Sequence, residues 1–131
     1  MLLEMKQISV HYGKVEVLKS ISLGIEQRQI ITLIGANGAG KTTTLRVISG
    51  LKRATRGEIW YEGKNIAQLS PQKIVELGII QVPEGRRIFY DMSVYDNLMV
   101  GAFLTKDERE IKNNIELRFK QFPRLSERKK T

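Results

Sequence analysis

One run in this chain carries residue types able to do chemistry at a telling spacing: Gly-Ala-Asn-Gly-Ala-Gly-Lys-Thr over residues 35–42. It fits G-x-x-x-x-G-K-[ST], a loop that wraps a polyphosphate in backbone N–H groups. Gly35, Gly38 and Gly40 have no Cβ to block that approach, and they reach positive φ cheaply. The N–H groups form an anion-binding concavity, and the N-terminus of a following helix adds partial positive charge. Lys41 would reach the β- and γ-phosphates. The Thr42 hydroxyl would ligate Mg²⁺, the other ligands being phosphate oxygens and waters.

A strand before such a loop and a helix after it are the context that would confirm it. Residues 29–34, Gln-Ile-Ile-Thr-Leu-Ile, are short, apolar and β-branched, which predicts a buried strand. Residues 42–50 follow as a helix in which Leu45, Ile48 and Leu51 recur at helical spacing, with Gly50 as a C-terminal cap. This context separates the loop from a Gly-rich turn with a chance Lys-Thr.

The rest of the chain reads as flanking structure. Residues 3–10 alternate apolar and polar as a half-buried strand, residues 11–14 turn, and residues 15–25 alternate again and should pair antiparallel nearby. Residues 53–57 form a loop, residues 58–61 a strand closed by Glu62 and Gly63, and residues 78–83 a further buried strand. Ser70 caps a short helix with Pro71 at its first position. From Ser93 the pattern is helical. Ser93 to Asp96 forms a capping box, and Val94, Tyr95, Leu98, Met99 and Ala102 form the apolar stripe. Thr105 to Glu108 is a second capping box, followed by a helix with Ile111, Ile115, Phe119 and Phe122 on one face, stopped by Pro123.

Composition bounds the function classes. The 131 residues make one domain at most, and 41% hydrophobic residues suffice for a core. No stretch approaches the roughly 20 apolar residues of a membrane span. Met-Leu-Leu-Glu-Met-Lys at the start is no signal peptide, because charged residues interrupt any apolar run. With no cysteine there is neither a disulfide nor a thiolate metal site, and a cytoplasmic location is the default. The net charge of +8 raises a nucleic-acid partner, but residues 105–131 hold nine basic and five acidic side chains in a helical tail. No aromatic-interleaved basic strand is present. A solvated face plus phosphate ligands accounts for the charge, and no nucleic-acid partner is expected.

Three features now lie in a fixed order. Tyr12 and Gly13 precede the loop; the loop extends to G-A-N-G-A-G-K-T-T over 35–43; V-P-E-G-R-R-I-F over 82–89 is followed by M-S-V-Y-D-N-L over 92–98. On these residues the whole chain resembles the nucleotide-binding subunit of ATP-binding-cassette (ABC) transporters. The 82–89 run, with F-P-R-L over 122–125, is most similar to the branched-chain amino-acid importer ATPases. The resemblance implies an α/β fold class: a P-loop NTPase core with an N-terminal antiparallel β-subdomain and the start of a helical subdomain, an incomplete ABC-type nucleotide-binding domain. Residues 1–92 would be the N-terminal part of the ATP-binding core and residues 93–131 the start of the helical subdomain.

The resemblance also implies roles. Tyr12 would stack on adenine. Gly35, Asn37, Gly38, Ala39, Gly40, Lys41, Thr42 and Thr43 would hold ATP and Mg²⁺, Lys41 having a catalytic part. The segment after Val82 matches the family's Q-loop, which senses the γ-phosphate and touches the transmembrane partner. Here the offset to Met92 places Glu84, not Gln81, where the family usually has Gln. Glu is a hard oxygen ligand and suits Mg²⁺; Arg86 and Arg87 would offset its charge toward phosphates. Expected partners are transmembrane permease subunits, through residues 84–96, and a second nucleotide-binding subunit, with the chain peripheral on the inner face of the cell membrane.

The family's L-S-G-G-Q signature, its apolar strand ending in Asp-Glu and its switch His are absent; the single His, His11, precedes the loop and reads as a solvent-facing turn residue. The chain is therefore expected to be the N-terminal part of a longer subunit, to bind Mg-ATP and to be inactive in hydrolysis by itself. The segment before the loop should lose a parallel neighbour and expose apolar surface. The competing readings are a nucleotide-binding module without turnover and an ABC-type ATPase of another system, such as urea, lipopolysaccharide or a non-transport process.

Overall fold

Apolar residues at positions 3, 5, 8 and 10 set the first strand, β1, which runs Leu3–Tyr12. Leu3, Met5, Ile8 and Val10 are all buried. Their alternation changes phase between Met5 and Ile8, and there the strand carries a bulge, with Gln7 at φ 49 and a shift in register. The extra residue keeps both halves' apolar side chains on one face. Serines take up donors the bulge leaves unpaired: Gln7 N–H donates to Ser22 Oγ at 2.9 Å, and Ser20 N–H to Ser9 Oγ at 3.1 Å. The computed structural model describes all residues 1–131, in two compact units, Met1–Val82 and Pro83–Thr131.

In the first unit, β2 (Val15–Ile25) returns antiparallel to β1. The turn is tighter than the sequence suggests, because His11 and Tyr12 still belong to β1. His11 is not solvent-facing but half-buried: its N–H donates to Thr55 Oγ1 at 3.1 Å and its Nδ1 lies 3.1 Å from the same oxygen. β3 (Arg56–Tyr61) pairs antiparallel with the other edge of β1, placing Met5 opposite Ile59. Glu62 and Gly63, at φ 46 and 76, form the tight turn that suits strand twist. It leads to β4 (Lys64–Asn65), an added short strand in a sheet of order β2-β1-β3-β4.

Helix α1 (Lys41–Ile48) packs beside β2, and its Val47 joins Met5, Ile8, Val10, Leu18 and Ile59 in the core. Burying each such aliphatic side chain contributes about 1.5–3 kcal/mol. The buried face of α1 is Thr43, Thr44 and Val47; Leu45 and Leu51, part of the expected apolar stripe, are 47% and 62% exposed. The sheet covers one side of this short helix, and that side is set by Val47 rather than by the Leu45–Leu51 spacing. Helix α2 (Pro71–Glu76) starts as expected, with Ser70 Oγ accepting from Lys73 N–H at 3.4 Å.

Residues 29–34 and 78–83 do not form the buried strands predicted for them. Ile30 and Ile34 are 96% and 93% exposed, Ile80 and Val82 75% and 88%. Buried parallel strands need neighbours on the hydrogen-bonding direction, and no strand of the β2-β1-β3-β4 sheet runs beside either segment. The expected exposure of apolar surface is therefore present, and it is complete enough that no strand forms.

The second unit is helical. Helix α3 (Val94–Gly101) is capped by Ser93, whose Oγ accepts from Asp96 N–H at 3.1 Å and donates to Asp96 Oδ2 at 2.6 Å. Helix α4 (Glu108–Gln121) is capped by Asp107, not by Thr105: Asp107 Oδ1 accepts from Arg109 N–H at 2.8 Å and Glu110 N–H at 3.4 Å. A carboxylate one residue before the helix reaches these donors directly, while Thr105 N–H is used in the turn after α3, donating to the Ala102 carbonyl. On α4 Ile115 is buried and Ile111 and Phe119 half-buried, but Phe122 is 57% exposed. Pro123 ends α4 and opens α5 (Pro123–Glu127), where its missing N–H costs nothing.

Candidate phosphate-binding site

Between residue 34 and α1 the chain has no regular structure and turns twice through glycine. Gly38 stands at φ 84, and Gly40, the N-cap of α1, at φ 93. A Cβ on Gly40 would collide with Leu18 Cδ2, so both conformation and packing demand glycine there. Ala39 N–H donates to the Ala36 carbonyl at 3.1 Å, closing the turn that holds Asn37 and Gly38 at the exposed tip. Thr44 Oγ1 donates to the Gly40 carbonyl at 2.9 Å and pins the loop to the first turn of α1.

Lys41 folds back over this loop. Its Nζ donates to the Gly35 carbonyl at 2.6 Å and the Ala36 carbonyl at 2.7 Å. The ammonium thus sits inside the loop's curve, on neutral acceptors that a phosphate oxygen would outbid, since charge-assisted hydrogen bonds are the strong ones. Thr42 is exposed at the mouth of the helix, as a metal-ligating hydroxyl must be, whereas Thr43 is buried. No three His, Cys, Asp or Glu side chains converge. The donor set fits a metal that arrives with the nucleotide, Thr42 adding one protein oxygen to those of the phosphates.

Tyr12, at the end of β1, is 40% exposed and stands beside the same helix. The nearby Thr43 hydroxyl, and beyond it Arg46 and the charge of Lys52, hold its pKa below the ordinary 10.0 against the opposing effect of desolvation. The Lys52 ammonium lies 4.2 Å from the Tyr12 ring centroid. Arg46 and Lys52 are neighbours that sequence reading missed; the only signal was the basic pair at 52 and 53 just after the helix-ending Gly50.

Gln81 is committed elsewhere in this unit. Ser49 Oγ, at the C-cap of α1, donates to Gln81 Oε1 at 2.6 Å.

Glu84 belongs to the second unit. It is exposed, and its carbonyl accepts from Arg87 Nε at 3.3 Å. Gly85 and Arg86 follow at φ 72 and 27, and the Tyr90 hydroxyl donates to the Arg86 carbonyl at 3.2 Å. Asn97, on α3, organises the end of this segment: its Oδ1 accepts from Phe89 N–H at 2.9 Å, and its Nδ2 reaches the carbonyls of Phe89, Met92 and Ser93 at 3.0, 3.2 and 3.0 Å. Arg86, Arg87, Phe89 and Tyr90 are left exposed. A cavity of about 1000 Å³ in this unit, lined by Met99, Ile111, Ile115 and Phe119 together with Arg109, Lys112, Lys129 and Lys130, includes no phosphate-loop residue.

Residues 18–130 match the family model described as ABC transporter. The chain is 41% identical, over 97% of its length, to a high-affinity branched-chain amino acid transport ATP-binding protein of Pseudomonas aeruginosa, of which it covers 54%. It is 34% identical over 84% of its length to a spermidine/putrescine import ATP-binding protein of Clostridioides difficile, covering 31% of that protein. A solved ATP-binding subunit of an ABC transporter superposes with a TM-score of 0.86 at 28% identity, over 100% of this chain and 54% of its own. A nucleotide-free ATP-binding cassette gives 0.81 at 24% identity, which speaks to the fold alone. The chain thus spans about half the length of the Pseudomonas aeruginosa protein and of the solved ATP-binding subunit, 54% in each case.

Proposed function

Because this chain belongs to the ABC transporter family, matched over residues 18–130, we propose that it supplies the Mg-ATP-binding part of an importer ATPase. The single observation that carries this is the phosphate loop itself: Gly38 and Gly40 in the left-handed conformation, with Lys41 Nζ held inside the curve on the Gly35 and Ala36 carbonyls. In this reading Gly35, Asn37, Gly38, Ala39 and Gly40 offer backbone N–H groups to the phosphates, and Lys41 and Thr43 add side-chain and first-turn contacts. Thr42 would hold Mg²⁺, which when bound neutralises charge on the phosphates; Glu84, in the second unit, is proposed as a carboxylate suited to Mg²⁺. Tyr12 would stack on adenine. Residues 1–92 would serve the nucleotide and residues 93–131 begin a helical subdomain.

The proposed solute is a branched-chain amino acid. Its support is the 41% identity to the Pseudomonas aeruginosa protein, set against 34% to a polyamine importer subunit. Permease subunits would dock on residues 84–96, where Arg86, Arg87, Phe89 and Tyr90 are exposed and suit an interface rich in Arg and aromatic contacts. A second nucleotide-binding subunit would face the loop, and the assembly would lie on the inner face of the cell membrane; no helix here is long and apolar enough to cross one. We propose further that residues 1–131 alone bind Mg-ATP without turning it over, since phosphoryl transfer also needs a group that orients the attacking water, a role no residue of the phosphate loop fills.

Calorimetry with Mg-ATP on the wild type and Lys41→Ala tests the assignment. Binding by the wild type and at least a tenfold loss in the variant are expected, from a charged hydrogen bond worth ~1.5–3 kcal/mol. Equal affinity would sink it. Phosphate release by the wild type should not exceed that of the variant; Lys41-dependent turnover would refute the binding-only reading of these residues.

A further inference from the structure

Lys52 lies over the ring of Tyr12. Its Nζ is 4.2 Å from the centre of the Tyr12 ring, the ring that the reading above assigns to adenine. The placement is built into the fold. Gly50, at φ 74, turns the chain out of α1, and Lys52 N–H then donates back to the Arg46 carbonyl at 3.1 Å. That bond fixes the root of the Lys52 stem beside the ring. Tyr12 is held in turn by its backbone, as the last residue of β1 opposite Val15 of β2. A cation over an aromatic face is held by the ring's quadrupole, and a face so covered cannot also receive a purine. At the phosphate end of the same unit Lys41 does likewise, resting on the Gly35 and Ala36 carbonyls.

We propose that Lys52 is a displaceable internal ligand of the adenine platform, covering the Tyr12 ring until a nucleotide base takes its place. Lys52 then sets nucleotide affinity by competition rather than by contact. Removing the ammonium frees the ring and tightens ATP, although a positive charge near an anion has been lost. This runs opposite to what a phosphate-binding lysine would do, and that opposition makes the idea testable. The proposal rests on the adenine role of Tyr12.

The test compares wild type, Lys52→Met, Lys52→Arg, Tyr12→Ala and the Lys52→Met/Tyr12→Ala double variant by calorimetry, with ATP and with inorganic tripolyphosphate, both with Mg²⁺. Lys52→Met is expected to tighten ATP by ~2–5-fold, the equivalent of an exposed cation–π contact, and to leave tripolyphosphate no tighter. Lys52→Arg should behave as wild type, because a guanidinium covers the ring as well. In the Tyr12→Ala background the Lys52 substitution should bring no gain. Weaker binding of both ligands by Lys52→Met would make Lys52 a phosphate contact and overturn the proposal, as would a gain that persists without Tyr12. Unchanged ATP affinity in Lys52→Met, with Tyr12→Ala weakened, overturns this proposal alone. Equal ATP affinity in Tyr12→Ala and wild type overturns the adenine reading beneath it.

Discussion

Ser49 and Gln81 are joined by a 2.6 Å hydrogen bond from hydroxyl to side-chain amide oxygen, at the C-terminal end of α1. The phosphate loop is at the other end of that helix, about 12 Å away for eight residues at ~1.5 Å each. Gln81 is therefore a tether for the segment leaving residue 78, and Glu84 remains the acidic candidate for sensing nucleotide. Gln81→Ala should cost ~1 kcal/mol of stability in chemical denaturation and leave Mg-ATP affinity unchanged. A marked drop in affinity would return Gln81 to the nucleotide site.

Gly40 offers a sharper stability test. Alanine there pays for left-handed backbone and for a clash with Leu18, together ~2–4 kcal/mol. Gly38 shares the conformation but has open space around it, so Gly38→Ala should cost only the backbone part, ~1–2 kcal/mol. Equal losses in thermal melts of the two variants would mean that Leu18 does not pack against the loop as described.

Tyr12 should titrate below the ordinary tyrosine value. Its folded pKa lies below 10.0, chiefly through the Thr43 hydroxyl and then Arg46. A depressed pKa stabilises the ionised form in the fold. The contribution is complete above the unfolded pKa and is lost as pH falls through the folded one, so stability rises with pH between the two. Absorbance titration of phenolate should show an early step that Tyr12→Phe removes and Thr43→Val moves upward. An early step surviving Tyr12→Phe would assign it to another residue.

Asn97 holds the segment between Phe89 and Ser93 to α3 through both of its amide atoms. Asn97→Ala should destabilise the second unit by ~1–3 kcal/mol, the range for polar groups left without partners. Asn97→Asp should be worse than its size suggests, because three carbonyls would then face a group with no donor. Hydrogen exchange at the Phe89 amide is the readout; unchanged protection in Asn97→Ala would remove Asn97 from this role.

In the whole importer subunit, charge reversal at Arg86 and Arg87 should lower transport more than it lowers ATP binding, since both side chains are exposed in the segment proposed to meet the permease. Parallel losses would place these arginines in the nucleotide site instead.

The sequence by itself determined the local chemistry. The order of glycines, Lys41 and Thr42 specifies a loop whose backbone can wrap phosphate, because Gly38 and Gly40 are needed at positive φ whatever surrounds them. Ser70 and Ser93 declared their helix starts, since an N-cap is satisfied within four residues. The bulge in β1, between Met5 and Ile8, was not read from the sequence, in which residues 3–10 read as plain alternation. Tertiary structure decided what depended on distant partners. Residues 29–34 and 78–83 have the composition of buried strands and yet lie exposed, because a strand is made by its neighbours and the sheet here is completed by β4 on one side and β2 on the other. Whether Leu45 or Val47 faced the core depended on which side of α1 the sheet would cover. The pairing of Tyr12 with Lys52 joins residues far apart in sequence through the turn at Gly50. No local pattern encodes that meeting, because it arises only when β1 and the end of α1 pack together.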